Sequence, residues 1–361
     1  MSLNKYYEKN YFKSLNWILN SIKRKEGSAA YFLPLKGWSK SYPETTGYII
    51  PTLLDASKIT KDYKYQDIGF ELGDWLLSIQ DEEGFWMNSL YPYTKKSSSS
   101  IFNTGQILIG LVSLYDLTKN KKWIQASEKA LSWLTRDFTE DNLWSPNDYL
   151  NKNETPSYYS HVIWPMLEVC QRINDCRKTE LCEKAILKII ERKKNNDVFY
   201  SWGFKNNEPA FTHNIGYTIK GIQECGRILN NKNIFESVNS TLDRLINISE
   251  LKSGKLGGLI NDDFREVGNF VCLTGNLQIA ESLLIYESKN EDLRIVNCAA
   301  KLIDFVCSRQ ILEFPIKNIE GGIPGSAPFF GRYMRFRYPN WASKFLCDAI
   351  LKLSGRINKI G

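Results

Sequence analysis

Histidine is almost missing from this chain. Only His161 and His213 occur in 361 residues, which excludes a histidine-rich metal cluster. The eight cysteines never form a C-x-x-C pair. Most sit in apolar helical contexts such as NCAAKLIDFVC, so neither a disulfide framework nor a zinc site is expected, and reduced, buried thiols of a cytoplasmic protein are. No uninterrupted apolar stretch approaches the ~18 residues of a membrane span. The N-terminus, MSLNKYYEKNYFKSLNW, is charged and aromatic and has no apolar core or small-residue cleavage site of a leader peptide. No block of like charges reads as a nucleic-acid arm. The balance of 47 Lys+Arg against 40 Asp+Glu leaves a net charge of +7. That suits an acidic ligand or a weak peripheral attraction to an anionic membrane surface, not a nucleic acid. No metal and no cofactor is expected.

What is present is enough to build a large core. Hydrophobic residues make up 43% of the chain and charged residues 24%, normal for a soluble globular protein. Apolar segments recur with a period of roughly 60 residues: TGYIIPTLLDAS from Thr46, TGQILIGLVSLYD from Thr104, HVIWPMLEVCQRI from His161, HNIGYTIKGIQEC from His213, TGNLQIAESLLIYE from Thr274 and WASKFLCDAILKL from Trp341. Amphipathic segments alternate with them. In KKWIQASEKALSWL, Trp123, Ala126, Ala130, Trp133 and Leu134 fall on one helical face with charges on the other. A helix that is apolar around much of its circumference must be covered on more than one side. Six such helices inside six amphipathic ones form a closed double ring, so the chain reads as one all-α domain, residues 1–361, an (α/α)6 toroid of six helical hairpins. The segments leading into the apolar helices are long and rich in aromatics, glycine and polar residues; the return turns, such as DLTKNKK, are short. All long loops therefore emerge at one end, and that end is the candidate active face.

The helix entrances also carry a resemblance. YPETTGYIIPTLL, FNTGQILIGL, FTHNIGYTIKGI, CLTGNLQIAESLL and GGIPGSAPFFGRYMRFRYPNWASKFLCDAI resemble a bacterial family linked to surface-polysaccharide biosynthesis, over most of the chain from Trp17 to Leu353. The resemblance implies the toroid of the six-hairpin glycosidase class. Related toroids include unsaturated glucuronyl hydrolases, polysaccharide lyases and sugar epimerases. The chain departs at one point: an arginine is expected near YYSHVIW, where His161 stands. Separately, QDEEGFW (Gln80 to Trp86) resembles the Q-x3-G-x-W packing motif of terpene-cyclase toroids. It occurs once, without their D-x-D-D acid motif, and reads as packing.

Candidate site residues cluster at the entrances. In SYPETTGYIIPTLLD, Glu44 precedes a helix for which Thr45 or Thr46 reads as N-cap. Capping and the helix dipole alone explain a carboxylate there and predict a low pKa; the functional alternative is a catalytic carboxylate. Competing loop carboxylates are Asp148, Glu154, Glu208, Asp262, Asp263, Glu266 and Glu320. A glycosidase needs two, roughly 5–5.5 Å apart for retention or 6.5–9.5 Å for inversion. His213 and Tyr217 share a helix face at i, i+4 and can act as base and acid in removing a proton beside a uronate carboxyl. The rings Tyr42, Trp86, Tyr158, Tyr159, Trp202, Tyr333 and Trp341 offer faces for sugar C–H surfaces; any single ring reads first as a plug of the toroid, the set on one face as a glycan cleft. Arg332, Arg335 and Arg337, with Lys344, crowd the last long loop and suit a carboxylate or diphosphate. Asn103, Asn276 and Asn340 read as caps, the last two also as sugar-binding amides, and His161 as a loop-ordering or binding residue.

These features read as a carbohydrate-active enzyme of bacterial surface-polysaccharide (capsule, O-antigen or exopolysaccharide) metabolism. It would be glycoside-hydrolase-like, with metal-independent acid–base chemistry on an acidic oligosaccharide, polysaccharide or lipid-linked glycan. Glu44, His213 and Tyr217 are its candidate catalytic residues. The alternatives are a uronate lyase or C5-epimerase acting by proton abstraction, and a non-catalytic glycan-binding or assembly scaffold. A close carboxylate pair marks the first, and a His or Tyr facing an Arg the second.

Overall fold

The computed structural model describes residues 3–136, 138, 144, 155–205, 208–290, 292–313 and 319–360. Asp148 and Glu154 lie outside them. The helices are α1 (Glu8–Ser21), α2 (Pro43–Thr60), α3 (Lys64–Ser78), α4 (Ile101–Thr118), α5 (Lys121–Arg136), α6 (Ser160–Ile173), α7 (Cys176–Glu191), α8 (Thr212–Ile228), α9 (Lys232–Glu236), α10 (Asn239–Leu251), α11 (Leu273–Asn290), α12 (Leu293–Cys307) and α13 (Asn340–Ile360).

The expected ring is present. α2 packs on α4, α4 on α6, α6 on α8, α8 on α11, α11 on α13, and α13 returns to α2. Outside them α3 covers α2, α5 covers α4, α7 covers α6, α9 covers α8 and α12 covers α11, while α1 closes the circle against α13. Composition explains who goes where. In α5, Trp123, Ala126, Ala130 and Leu134 are buried while Lys121, Glu128 and Lys129 face water. In α8 every residue from Thr212 to Gly226 is buried, as a helix with neighbours on every side must be. Inner helices also approach backbone to backbone. A Cβ placed on Gly221 would lie 2.3 Å from the Ser160 carbonyl carbon of α6, so only glycine fits there.

Two- or three-residue turns join α2 to α3, α4 to α5, α6 to α7 and α8 to α9, so each pair runs antiparallel. Lys61, Lys119 and Asn174 end α2, α4 and α6 in the left-handed conformation. The six long connections, each leading from an outer to an inner helix, consequently emerge at one end of the ring. Short antiparallel strands, which the sequence pattern does not reveal, tie them together. Tyr31–Leu33 pairs with both Gly37–Trp38 and Tyr338–Pro339, joining the first long loop to the last.

Two expectations change. The segment NIFESVNSTLDRLIN is not one helix: α9 and α10 are separated at Ser237–Val238, where Lys193 Nζ donates to the Ser237 carbonyl at 2.8 Å. Thr46, Thr104 and Asn276 are not N-caps but staples inside the first turns, whereas Ser100 does cap α4, accepting from Asn103 N at 3.1 Å. Thr46 Oγ1 accepts from Ser28 N at 3.0 Å, Thr104 Oγ1 from Trp86 N at 3.0 Å, and Asn276 Oδ1 from Leu256 N at 2.9 Å. Each holds its incoming loop against the helix. All eight cysteines are free thiols, with Cys176 exposed and Cys307 half-buried. Among the described residues no helix is long and apolar enough to cross a membrane.

Candidate active site

The N-termini of the inner helices surround a cavity of about 400 Å³. α2 contributes Glu44 and Tyr48, with Tyr42 at its N-cap. α4 contributes Phe102 and Asn103, and the turn before α6 Tyr158 and Tyr159. α8 brings His213, Asn214 and Tyr217, α13 brings Trp341, and the last long loop brings Arg332 and Tyr333. The three candidate catalytic residues thus share one cavity.

Glu44 is the second residue of α2, behind Pro43, whose fixed φ and missing N–H suit a helix start. The dipole argument predicts a low pKa, and the structure reverses it. Loss of hydration pushes the carboxyl up to about 7, although the nearby Tyr42 hydroxyl opposes the rise. Desolvation outweighs the dipole because rings surround the group. Tyr42 also donates to Asn103 Oδ1 at 3.3 Å. Glu44 therefore exchanges its proton near neutrality, whereas an exposed helix-start carboxylate would stay ionised.

His213 is neutral. Burial pushes its imidazole down to about 4, against the supporting hydrogen bond to Gln278. Nδ1 lies 2.8 Å from Gln278 Oε1 of α11, so Nδ1 carries the hydrogen. Nε2 is then the lone-pair nitrogen of a ring that lines the cavity. Tyr217 lies between the two histidines, its ring centroid 4.5 Å from His213 and 4.6 Å from His161. Its hydroxyl is buried and makes no hydrogen bond of normal geometry. Burial pushes it well above its ordinary pKa, with the charges of Glu44 and Tyr333 adding to the rise. It is a neutral phenol.

His161 does not line the cavity. Its Nδ1 is 2.9 Å from Gln106 Oε1, and Gln106 Nε2 donates back to the His161 carbonyl at 3.1 Å. Burial, reinforced by Lys220, Lys344 and His213, holds it well below its ordinary pKa. It supports Tyr217 from behind.

Other candidates take structural places. Trp86 is fully buried and donates from Nε1 to the Leu76 carbonyl at 2.9 Å. Gln80 Nε2 of the same motif donates to the Gly84 carbonyl at 2.9 Å and to the Ala126 carbonyl of α5 at 3.0 Å. The packing reading of QDEEGFW accounts for both. Trp202 is buried against Phe264. Asn276 ties the preceding loop, donating to the Leu256 and Cys272 carbonyls. Asn340 donates to Ser28 Oγ at 2.9 Å and to the Ala29 carbonyl. Of the three arginines, only Arg332 lines the cavity. Arg335 is exposed, and Arg337 stacks over Tyr31, 5.1 Å from the ring centroid. Lys344 is not a loop cation. It is buried in α13 and donates to Asp348 Oδ2 at 2.5 Å. Trp341 and Tyr333 meet at the cavity, Trp341 Nε1 donating to Tyr333 Oη at 3.0 Å.

Of the competing carboxylates among the described residues, Asp263 is exposed to water and the other four are engaged elsewhere. Glu208 pairs with Lys205, Asp262 with Lys194 and Glu320 with Lys13; Glu266 accepts from Gly257 N at 2.5 Å. Among the described residues Glu44 is the one carboxylate that lines the cavity.

Sequence reasoning missed Asn214. It lies in the cavity wall, 1% exposed, with neither amide atom paired. Buried amides are nearly always satisfied, so this one has capacity for a ligand hydroxyl. Its position beside His213 was the available signal. Also missed was the charge beneath the cavity. Lys220 donates to Glu281 Oε2 at 2.5 Å, and Thr52 Oγ1 to Asp348 Oδ1 at 2.8 Å.

No family model matches the chain, and no curated protein sequence matches it significantly. Its structure is similar to several solved ones. One is an unsaturated glucuronyl hydrolase responsible for glycosaminoglycan degradation, from a Bacillus species (TM-score 0.76, 12% identity, 96% of each chain). Another is cellobiose 2-epimerase from Bacillus thermoamylovorans (TM-score 0.74, 13% identity, 97% of this chain and 100% of that one). A third is a D-mannose isomerase (TM-score 0.74, 10% identity, 97% and 98%). At these identities the likeness establishes the fold, an (α/α)6 toroid, and leaves the chemistry to be argued from the residues.

Proposed function

We propose that this chain is a carbohydrate-active enzyme of bacterial surface-polysaccharide metabolism that moves a proton at a ring carbon of a uronate-bearing glycan, as a C5-epimerase or a lyase does. One observation carries the reading. A neutral His213 and a Glu44 poised near 7 share a cavity with Arg332, and among the described residues no second carboxylate lines it. Hydrolysis needs a carboxylate pair; proton abstraction beside a carboxyl needs a base, an acid and a cation. The similar solved sugar epimerase and isomerase support the class, and the resemblance at the helix entrances supports the biosynthetic setting.

In this reading Arg332 holds the uronate carboxylate and Asn214 a hydroxyl. His213 Nε2 accepts the proton from C5. Glu44 or Tyr217 supplies a proton from the other side. Delivered to C5, it completes epimerisation; delivered to the departing oxygen at C4, it leaves a C4–C5 double bond. Free and lipid-linked acidic oligosaccharides are the substrates to screen.

Turnover in deuterium oxide tests the reaction. Epimerisation places solvent deuterium on C5, and elimination yields a product with a new ultraviolet absorbance. His213→Ala abolishes both. If glycosidic bonds are cleaved with neither signature, and Asp148→Asn or Glu154→Gln abolishes cleavage, the reaction is hydrolysis. If glycan binds and Glu44→Gln and His213→Ala change nothing, the toroid is a scaffold.

A further inference from the structure

A second concavity, of about 580 Å³, lies at the same end of the ring. Lys252 follows α10 and Arg309 follows α12, the two places where the last long loops begin. A thin layer of rings separates this groove from the cavity. Phe270 lines the groove, and Phe211 and Tyr333 line the cavity. Phe211 lies 6.3 Å from Phe270 and 5.5 Å from Tyr333, centroid to centroid. Residue 331 backs directly on the layer, since a Cβ on Gly331 would stand 2.8 Å from the Phe270 Cβ. The next residue, Arg332, is exposed on the cavity rim.

The groove gathers positive charge. Lys255 Nζ lies 5.3 Å, and the Arg309 guanidinium 5.2 Å, from the centroid of the half-buried Phe305 ring. One aromatic side chain thus holds two cations at one place. Neither forms an ion pair with a carboxylate among the described residues. The groove's own acid, Glu266, is engaged by the Gly257 N–H and by Lys252 at 3.8 Å. Phe270 and Pro328 add apolar wall of the kind that packs on a pyranose face.

We propose that this groove is a distal subsite for an anionic group, carboxylate or phosphate, on a residue of the same glycan farther along than the sugar in the cavity. The substrate is then an acidic chain of several sugars and not a free monosaccharide. This rests on the reading of the cavity as the sugar-acting site. Arg332 on the rim and the Lys255–Arg309 pair in the groove form a basic track that only a chain spanning the ring layer can use at both ends.

The test uses the full chain carrying His213→Ala, so that binding is read without turnover. Oligogalacturonates of increasing length are titrated by calorimetry, with neutral cellodextrins of matched length as controls. Affinity is expected to rise with length for the acidic series alone and to weaken with salt. Lys255→Glu with Arg309→Glu, both on accessible side chains, is expected to weaken the long acidic oligomers by roughly tenfold and leave the shortest unchanged. A phosphomannan oligosaccharide in the same titration shows whether phosphate serves as well as carboxylate. Equal affinity for short and long acidic oligomers, no binding of either, or no effect of the double charge reversal overturns the inference. Failure of the cavity reading looks different: His213→Ala in the otherwise native chain then turns over substrate normally, whatever the groove binds.

Discussion

At the scale of single residues, two groups on facing elements are shifted in opposite directions. Loss of hydration raises Glu44 from 4.5 to about 7 and lowers His213 from 6.5 to about 4. If His213 is the base and Glu44 the acid, kcat/KM rises with pH through about 4 as the imidazole loses its proton and falls through about 7 as the carboxyl does. A pH–rate profile with both limbs is expected, and Glu44→Gln should lower kcat by ~100-fold or more. Stability carries the same shifts. Glu44 binds its proton more tightly folded than unfolded, so its contribution is fully present below 4.5 and is lost as pH rises through about 7, a loss of at most ~3 kcal/mol. Glu44→Gln should therefore be more stable than the native chain above 7, with the gain vanishing below 4.5; urea titrations across that range read it. His213 acts oppositely, losing stability as pH falls from 6.5 through about 4, so the two slopes offset in the native chain. Residues at helix entrances were legible because periodicity fixes where an inner helix begins. Arg335 and Arg337 were not, because position along a loop does not say which way a side chain turns.

At the scale of elements, α8 shows what apolar periodicity conceals. His213, Tyr217, Lys220 and Glu224 stand at successive turns on one face, and all four are buried. The helix reads as apolar because glycine, isoleucine and threonine fill most of its other positions, yet this face runs from the cavity into the middle of the ring. The lysine in THNIGYTIKG, three residues after Tyr217, was the visible sign. Burial opposes the charge of Lys220, but Glu281, Asp348 and Glu224 more than offset it and hold its ammonium above the ordinary pKa. Glu281 is fully buried, and its Oε1 has no partner. Lys220→Met therefore leaves an uncompensated buried carboxylate between α8 and α11, and chemical denaturation should register a loss of about 3–5 kcal/mol. Lys220→Met combined with Glu281→Leu removes both charges and should recover most of that loss. An uncorrected double variant would show that the pair does not carry the interface.

At the scale of the whole molecule, the ring makes the chain's ends ordinary. The alternation of apolar and amphipathic segments made the toroid legible, but not the loop strands that stitch it, because two-residue pairings leave no periodic trace. Closure depends on α1, which brings Tyr11, Leu15, Trp17 and Ile18, all fully buried, and packs on the last helix, α13. Asn4 N donates to Ser354 Oγ at 3.1 Å, so the start of the chain lies against the last helix. Cutting a turn and removing a helix should then have very different consequences. A circular permutant that joins the present ends by a short flexible linker and opens the chain at the α4–α5 turn, between Lys119 and Asn120, keeps every helix contact. It changes only the loop-closure entropy, which depends weakly on length. It should unfold in one transition near the native midpoint and keep the activity proposed for the cavity. Deleting residues 1–21 instead uncovers α13 and removes four buried side chains at about 2 kcal/mol each, comparable to the roughly 5–15 kcal/mol that separates a folded domain from its unfolded state. That truncation should lose cooperative unfolding and aggregate. If the permutant collapses as the truncation does, closure depends on chain connectivity and not on the packing of α1 against α13.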